Sequence, residues 1–219
     1  MNFPLILKFL KDIKKNNDRE WFDKNKPRYV EAKEQFETFV ATLLEDIITF
    51  DDSLASLEPK KLVFRIYRDV RFSKDKRPYK TNFGAGFSAV GKGLGKPGYY
   101  LQIEPGNSFV AVGLFQPEPE ILAQVRQEID YNGDKLKKII NEKKFKANFD
   151  KFWDEDALKG APKGYAKDHP YVDWLRLKSF IVTRNFTDAE VTDPKFMKLL
   201  SVAMRSGKPL NDFLNEAMA

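Results

Sequence analysis

The chain has no cysteine. Disulfides, thiolate nucleophiles and thiolate metal sites are excluded together, and a reducing compartment fits. It has one histidine, His169. A Ser-His-Asp triad would have to use it, and no G-x-S-x-G elbow supplies the serine. A zinc site would have to be rich in carboxylates, an unusual donor set. No hydrophobic run approaches a membrane span. Phe3 to Leu10 is apolar but broken by Lys8, and no small-residue cleavage site follows, so no secretion signal is read. These absences predict a cytoplasmic protein with no membrane partner.

Aromatic residues are plentiful: 14% of the chain, with 19 phenylalanines. A core of useful size is attainable without crosslinks, and 219 residues suit a single domain spanning residues 1–219. Charge is unevenly placed. The stretch Phe64 to Asn82 holds Arg65, Arg68, Arg71, Lys74, Lys76, Arg77 and Lys80 against Asp69 and Asp75. It supplies five of the six net positive charges, so the remainder of the chain is nearly neutral. A basic excess confined to one segment is a local field that favours an anionic partner there.

Periodicity predicts helices first. Leu5, Ile6, Phe9, Leu10 and Ile13 share a helical face, and Asn16-Asn17 suit its end. Asp18 can cap the short turn Arg19 to Phe22, and Pro27 can open a long helix reaching about Phe50. Strands are expected at Leu62–Arg68, Asn82–Val90, Gly98–Glu104, Ser108–Phe115 and Ser179–Asn185. In the second, Phe83, Ala85 and Phe87 alternate with Gly84, Gly86 and Ser88, which leaves one face nearly bare for a backbone, an aromatic ring or a ligand. Pro105-Gly106 fits a type II turn. Helices are expected from Pro117 to Tyr131, stopped by Asn132-Gly133, then at Leu136 to Ile140 and around Phe145 to Trp153. Asp168-His169-Pro170 opens another. Thr187 and Glu190 have capping-box spacing. The last helix is expected to run from Asp193-Pro194 to Gly207, with a separate one over Pro209 to Met218. This order predicts an α+β fold with a mainly antiparallel sheet between N-terminal and C-terminal helices.

The run Gly91-Lys92-Gly93-Leu94-Gly95-Lys96 invites a phosphate-loop reading. Val90 and Pro97 stand where a Walker motif needs Gly and Ser or Thr, and no helix follows, so it reads as a connection between strands. In the basic segment, Arg65, Arg68, Arg71, Lys74, Lys76 and Lys80 are the candidate ligand-binding groups, because arginine forks match carboxylate and phosphate. Asp69 and Asp75 could instead pair with those arginines and hold the loop. Asp69 and His169 are the candidates for proton transfer, since imidazole as a class titrates near neutral pH. Helix capping is the plainer role for His169. No spacing selects a carboxylate pair, and no metal or cofactor is assigned. Three functions remain open. The first is binding of a small phosphorylated or carboxylated ligand in a basic cleft, with or without catalysis. The second is nucleic-acid binding, with Tyr67, Phe72 and Tyr79 as stacking surfaces. The third is a structural role for an internally paired loop.

At these residues the sequence resembles a widespread, mostly bacterial family of uncharacterised proteins, a domain of unknown function. The landmarks are Asn16-Asn17, Arg19-Glu20-Trp21-Phe22, Phe64-Arg65-Ile66, Arg68-Asp69, Arg71 to Lys76, Pro78-Tyr79-Lys80, Gly98-Tyr99-Tyr100, Asp168-His169-Pro170, Trp174-Leu175-Arg176 and Lys178. The resemblance covers nearly the whole chain and implies one domain of about this length. It carries no activity or cofactor. It also implies that Asn16–Phe22 and Asp168–Lys178 lie beside the basic segment.

Overall fold

The computed structural model describes residues 1–93 and 95–219; Leu94, in the Gly-rich connection, lies outside the described residues. The N-terminal helices start where short polar side chains satisfy free N–H groups. The Asn2 side chain accepts from the Leu5 amide at the start of α1 (Phe3–Lys15). The Asp18 carboxylate accepts from the Trp21 amide at 2.8 Å and opens α2 (Arg19–Lys24). The long helix α3 (Lys26–Ile48) carries Pro27 in its first turn. Its buried face of Ala32, Phe36, Phe39, Val40, Leu43, Leu44 and Ile47 packs against α1.

The sheet is antiparallel, with β1 (Phe83–Ser88), β2 (Gly98–Ile103), β3 (Ser108–Leu114) and β4 (Phe180–Phe186) in sequential order. Four of the expected strands therefore form. The segment expected as a strand at Leu62–Arg68 differs. A short helix, α4 (Pro59–Leu62), occupies its start. Only Val63 bridges β1, at Ala85, with the Phe64 amide donating to the Gly84 carbonyl. Pro59 at a helix N-terminus explains the difference, because it fixes φ where no N–H is needed. The turn at Pro105-Gly106 is as expected: Gly106 has φ +75° and the Asn107 amide donates to Glu104 O.

The remaining helices are α5 (Pro119–Asn141), α6 (Lys143–Lys146), α7 (Val172–Leu175), α8 (Asp188–Thr192) and α9 (Phe196–Glu216). Thr187 and Glu190 close the capping box that opens α8. Two expected helix breaks are kinks or crossings instead. Asn132 bends α5 (φ −123°, ψ 25°) without ending it, and the Tyr171 ring packs against Gly133, where a Cβ would sit 2.2 Å from the ring. Helix α9 runs through Gly207 and Pro209, because Gly207 lies directly against Val112 of β3 and a side chain would not fit. Around Phe145 to Trp153 only α6 is helical; Phe152 instead bridges β4 at Val182.

One sheet face is covered. Phe83, Ala85, Phe87, Tyr99, Leu101, Ile103, Val110, Val112 and Phe180 point into a core that also takes in α1, α3, α5 and α9. The other face carries three rows across the strands: Ser88–Gly98–Gly113–Ile181, Gly86–Tyr100–Ala111–Thr183 and Gly84–Gln102–Phe109–Asn185. No helix among the described residues is long and apolar enough to cross a membrane.

Candidate functional site

The basic segment folds into two parts with different electrostatics. Residues 68–78 form a hairpin finger. Its base is closed by a Tyr67–Tyr79 bridge, by the Arg68 amide donating to Pro78 O at 2.9 Å and by the Lys80 amide donating to Ile66 O at 2.7 Å. The base rests on the N-terminal helices. The Phe22 and Tyr79 rings stack at 4.1 Å, and the Asn17 amide group both donates to Tyr79 O and accepts from its N–H, each at 3.0 Å. Asn17 thus plays the part of a neighbouring strand, which places the Asn16–Phe22 landmark beside the segment.

Within the finger the cations meet internal acceptors. Arg71 forks onto Asp69, with Nη2–Oδ2 at 2.6 Å. Asp75 receives Arg77 at 2.7 Å and Arg68 at 2.8 Å, and Arg68 also donates to Arg77 O at 3.0 Å. Lys76 Nζ donates to Val70 O at 3.0 Å. Bonds from Arg71 hold the Asp69 carboxyl below the usual range, and bonds from Arg77, with a further one from Arg68, hold Asp75 far below it. Both are firm carboxylates. Lys74 is exposed and has no carboxylate partner among the described residues. Of the three aromatic rings of the finger and its base, Tyr79 is buried, Tyr67 is packed edge-on against Phe22, and Phe72 is 95% exposed with the Arg71 guanidinium 5.9 Å from its ring centre.

The second part surrounds Phe64. Lys80 Nζ lies 5.3 Å and Lys92 Nζ 5.6 Å from the centre of its ring. Lys92 also donates to Val63 O at 2.8 Å. Arg65 is exposed beside them. Burial, then the charges of Arg65 and Lys92, push the Lys80 ammonium below the ordinary lysine range. None of Arg65, Lys80 and Lys92 has a carboxylate partner among the described residues. A cation held this way over a ring gains from the ring's quadrupole but keeps its need for an anion.

Phe64 and Lys92 are also walls of a cavity of about 340 Å³ on the open sheet face. Its floor is backbone at Gly98 and Gly113. Gly113 takes φ +127° and a Cβ there would lie 1.9 Å from Phe180 O, so the floor must stay bare. Gly86 lets the Lys92 backbone fold down as a wall: its Cβ would meet Lys92 Cα at 3.1 Å. Tyr100, Phe109, Ala111, Phe115 and Ile181 complete an apolar lining, to which Lys92 and Lys96 add the two cations. The Tyr100 hydroxyl, pushed up to about 12 by burial, donates to Gln102 Oε1 at 3.1 Å. Sequence reasoning noticed the bare face of β1 and the Gly-rich connection as separate features. It had no means of seeing that the connection folds back over that face.

His169 lies elsewhere. The Tyr171 amide donates to its Nδ1 at 3.1 Å, so the ring proton sits on Nε2 and is donated to Asp130 at 2.9 Å. Both nitrogens are engaged in fixing the turn before α7 to α5. No hydrogen bond or ion pair among the described residues joins Asp168–Lys178 to the basic segment; this stretch packs on α5, with Arg126 donating to the Leu175 and Leu177 carbonyls. Glu104 is bonded by Thr81, Gln102 and Asn107. No group of three or more metal-ligating side chains occurs among the described residues.

No curated protein and no solved structure matches the chain. A family model does, over residues 5–213, under the description of a conserved hypothetical protein. With its landmarks placed in the fold, from Asn17 under Tyr79 to the cations about Phe64, the chain belongs to the DUF2461 family.

Proposed function

We propose that the chain is a cytoplasmic binding domain for a small carboxylate with an apolar body. The observation that carries this reading is the cavity on the open sheet face, apolar within and flanked by cations that lack carboxylate partners among the described residues. A cavity of about 340 Å³ is in the range of small-molecule sites, which are mostly apolar with a few polar groups that fix orientation. The body rests on Gly98, Gly113 and Ala111 between the aromatic walls. The head group meets Lys92 and Lys96, with Lys80 and Arg65 adding to the field. Sugar phosphates fit this lining poorly, because their hydroxyls would lose water without finding partners. Arg68, Arg71 and Lys76 act in this reading through the shape of the finger, and Lys74 through its field alone.

The test is thermal stabilisation of the purified protein by benzoate, naphthoate and octanoate, compared with inorganic phosphate and glucose phosphate. A ligand at about a hundred times its Kd raises Tm by roughly 5–10 °C for a chain of this size. Stabilisation by the apolar carboxylates that disappears in Ala111→Leu supports the site. Equal stabilisation by the phosphates in both proteins would overturn it.

A further inference from the structure

The finger points at a partner that the cavity does not explain. Phe72 stands at its tip with its ring almost wholly in solvent, flanked by exposed Arg71 and Lys74. The Arg68–Asp75–Arg77 bonds tie the two arms of the finger together below this tip. An exposed aromatic ring between cations is the kind of group that dominates interfaces.

Beside the base of the finger lies its complement. A shallow hollow is lined by Asp23, Lys26, Pro27, Val30, Glu31 and Glu34. Three carboxylates against one lysine make it acidic, and Pro27 and Val30 give it an exposed apolar floor, Val30 being 42% exposed. The hollow adjoins the finger through Phe22, which precedes Asp23 in the chain and packs on Tyr79, Tyr67 and Tyr29. Tyr67, 47% exposed, packs on Phe22 and Tyr79 at the base of the finger.

We infer that two copies of this chain associate reciprocally, the Phe72 finger of each seated in the Val30–Glu34 hollow of the other. The argument is one of sign and place. The finger is basic with an apolar tip, and the hollow is acidic with an apolar floor. Because the hollow adjoins the base of the finger through Phe22, one twofold axis beside them can satisfy both contacts at once and close the assembly.

Sedimentation velocity over a range of protein concentrations tests this at low and at high salt. The expected result is a concentration-dependent dimer that weakens with salt and is lost in Phe72→Ser, with Tm unchanged at concentrations low enough for both proteins to be monomeric. Lys74→Glu and Glu31→Lys each weaken the dimer, and the double variant restores it. A protein that stays monomeric at about 100 μM in low salt would overturn the inference, as would a dimer indifferent to Phe72→Ser. So would a monomer that binds a short oligonucleotide through Phe72, since the free ring and its cations would then serve stacking and phosphate contact.

Discussion

The finger and the Phe64 cluster come from one continuous basic stretch, yet they present opposite chemistry. In the finger, Arg68, Arg71 and Arg77 are matched to Asp69 and Asp75, and Lys76 to a carbonyl. Around Phe64, Lys80 and Lys92 sit over a ring and Arg65 stands beside them, with no carboxylate partner among the described residues. The finger holds more of the cations and the cluster holds more of the unmet demand for an anion. A count of cations along a sequence locates a field, and the distribution of acceptors in space decides where that field is used.

The contrast can be broken most severely from below. Phe22 is 1% exposed and supports the finger through Tyr79 while leaving the cavity walls untouched. Phe22→Ala should cost about 3–5 kcal/mol in urea unfolding. Binding of naphthoate by the folded fraction should survive. Loss of that binding at temperatures where the variant is folded would mean the two parts are coupled.

Lys80→Ala removes a cation that adds to the field beside the cavity and should weaken carboxylate binding about threefold by calorimetry, with the fold retained. The pH dependence follows from its lowered folded value. Burial and neighbouring cations favour the neutral amine, and a bound carboxylate favours the ammonium. Binding therefore takes up a proton and weakens as pH rises, beginning below the ordinary lysine range. Affinity that stays flat until well above that range would remove Lys80 from the site.

Asn17→Ala deletes two hydrogen bonds to the Tyr79 backbone. It should cost about 1–3 kcal/mol, because a half-buried amide and carbonyl lose their partners. Hydrogen exchange at the Tyr79 amide should speed up, while exchange in β2 and β3 should not change. Smaller still is the effect of acid on the finger. Both Asp69 and Asp75 are held below the unfolded carboxylate value, so their contribution is present above that value and is lost as pH falls through the folded ones. Asp75, with two arginines, should protonate at lower pH than Asp69, which carboxyl carbon shifts in an NMR titration would show. The reverse order would contradict the Arg68 link.

Much of this architecture is legible in residue pattern. The Thr187–Glu190 box, the Asp18 cap, the alternation through Phe83 to Ser88 and the Pro105-Gly106 turn are local, and local chemistry fixes them. The misreadings have a common cause. Asn132-Gly133 and Gly207 look like helix ends, because glycine in isolation favours them. Their true reason is a neighbour distant in sequence, the Tyr171 ring in one case and Val112 in the other. The same holds for the candidate site. The basic residues could be named in advance, but which of them Asp69 and Asp75 would occupy depends on the fold of the finger. The cavity needs a loop from one side of β2 to cover glycines on three strands, and no linear spacing records that.

The most direct test is a titration of the uniformly labelled protein with naphthoate, followed through its amide resonances. Shifts centred on Gly86, Gly98, Ala111 and Gly113, with the finger amides of residues 69–77 unmoved, are the predicted result. Shifts confined to residues 69–77, with the open sheet face silent, would contradict the assignment of the anion site to the cavity.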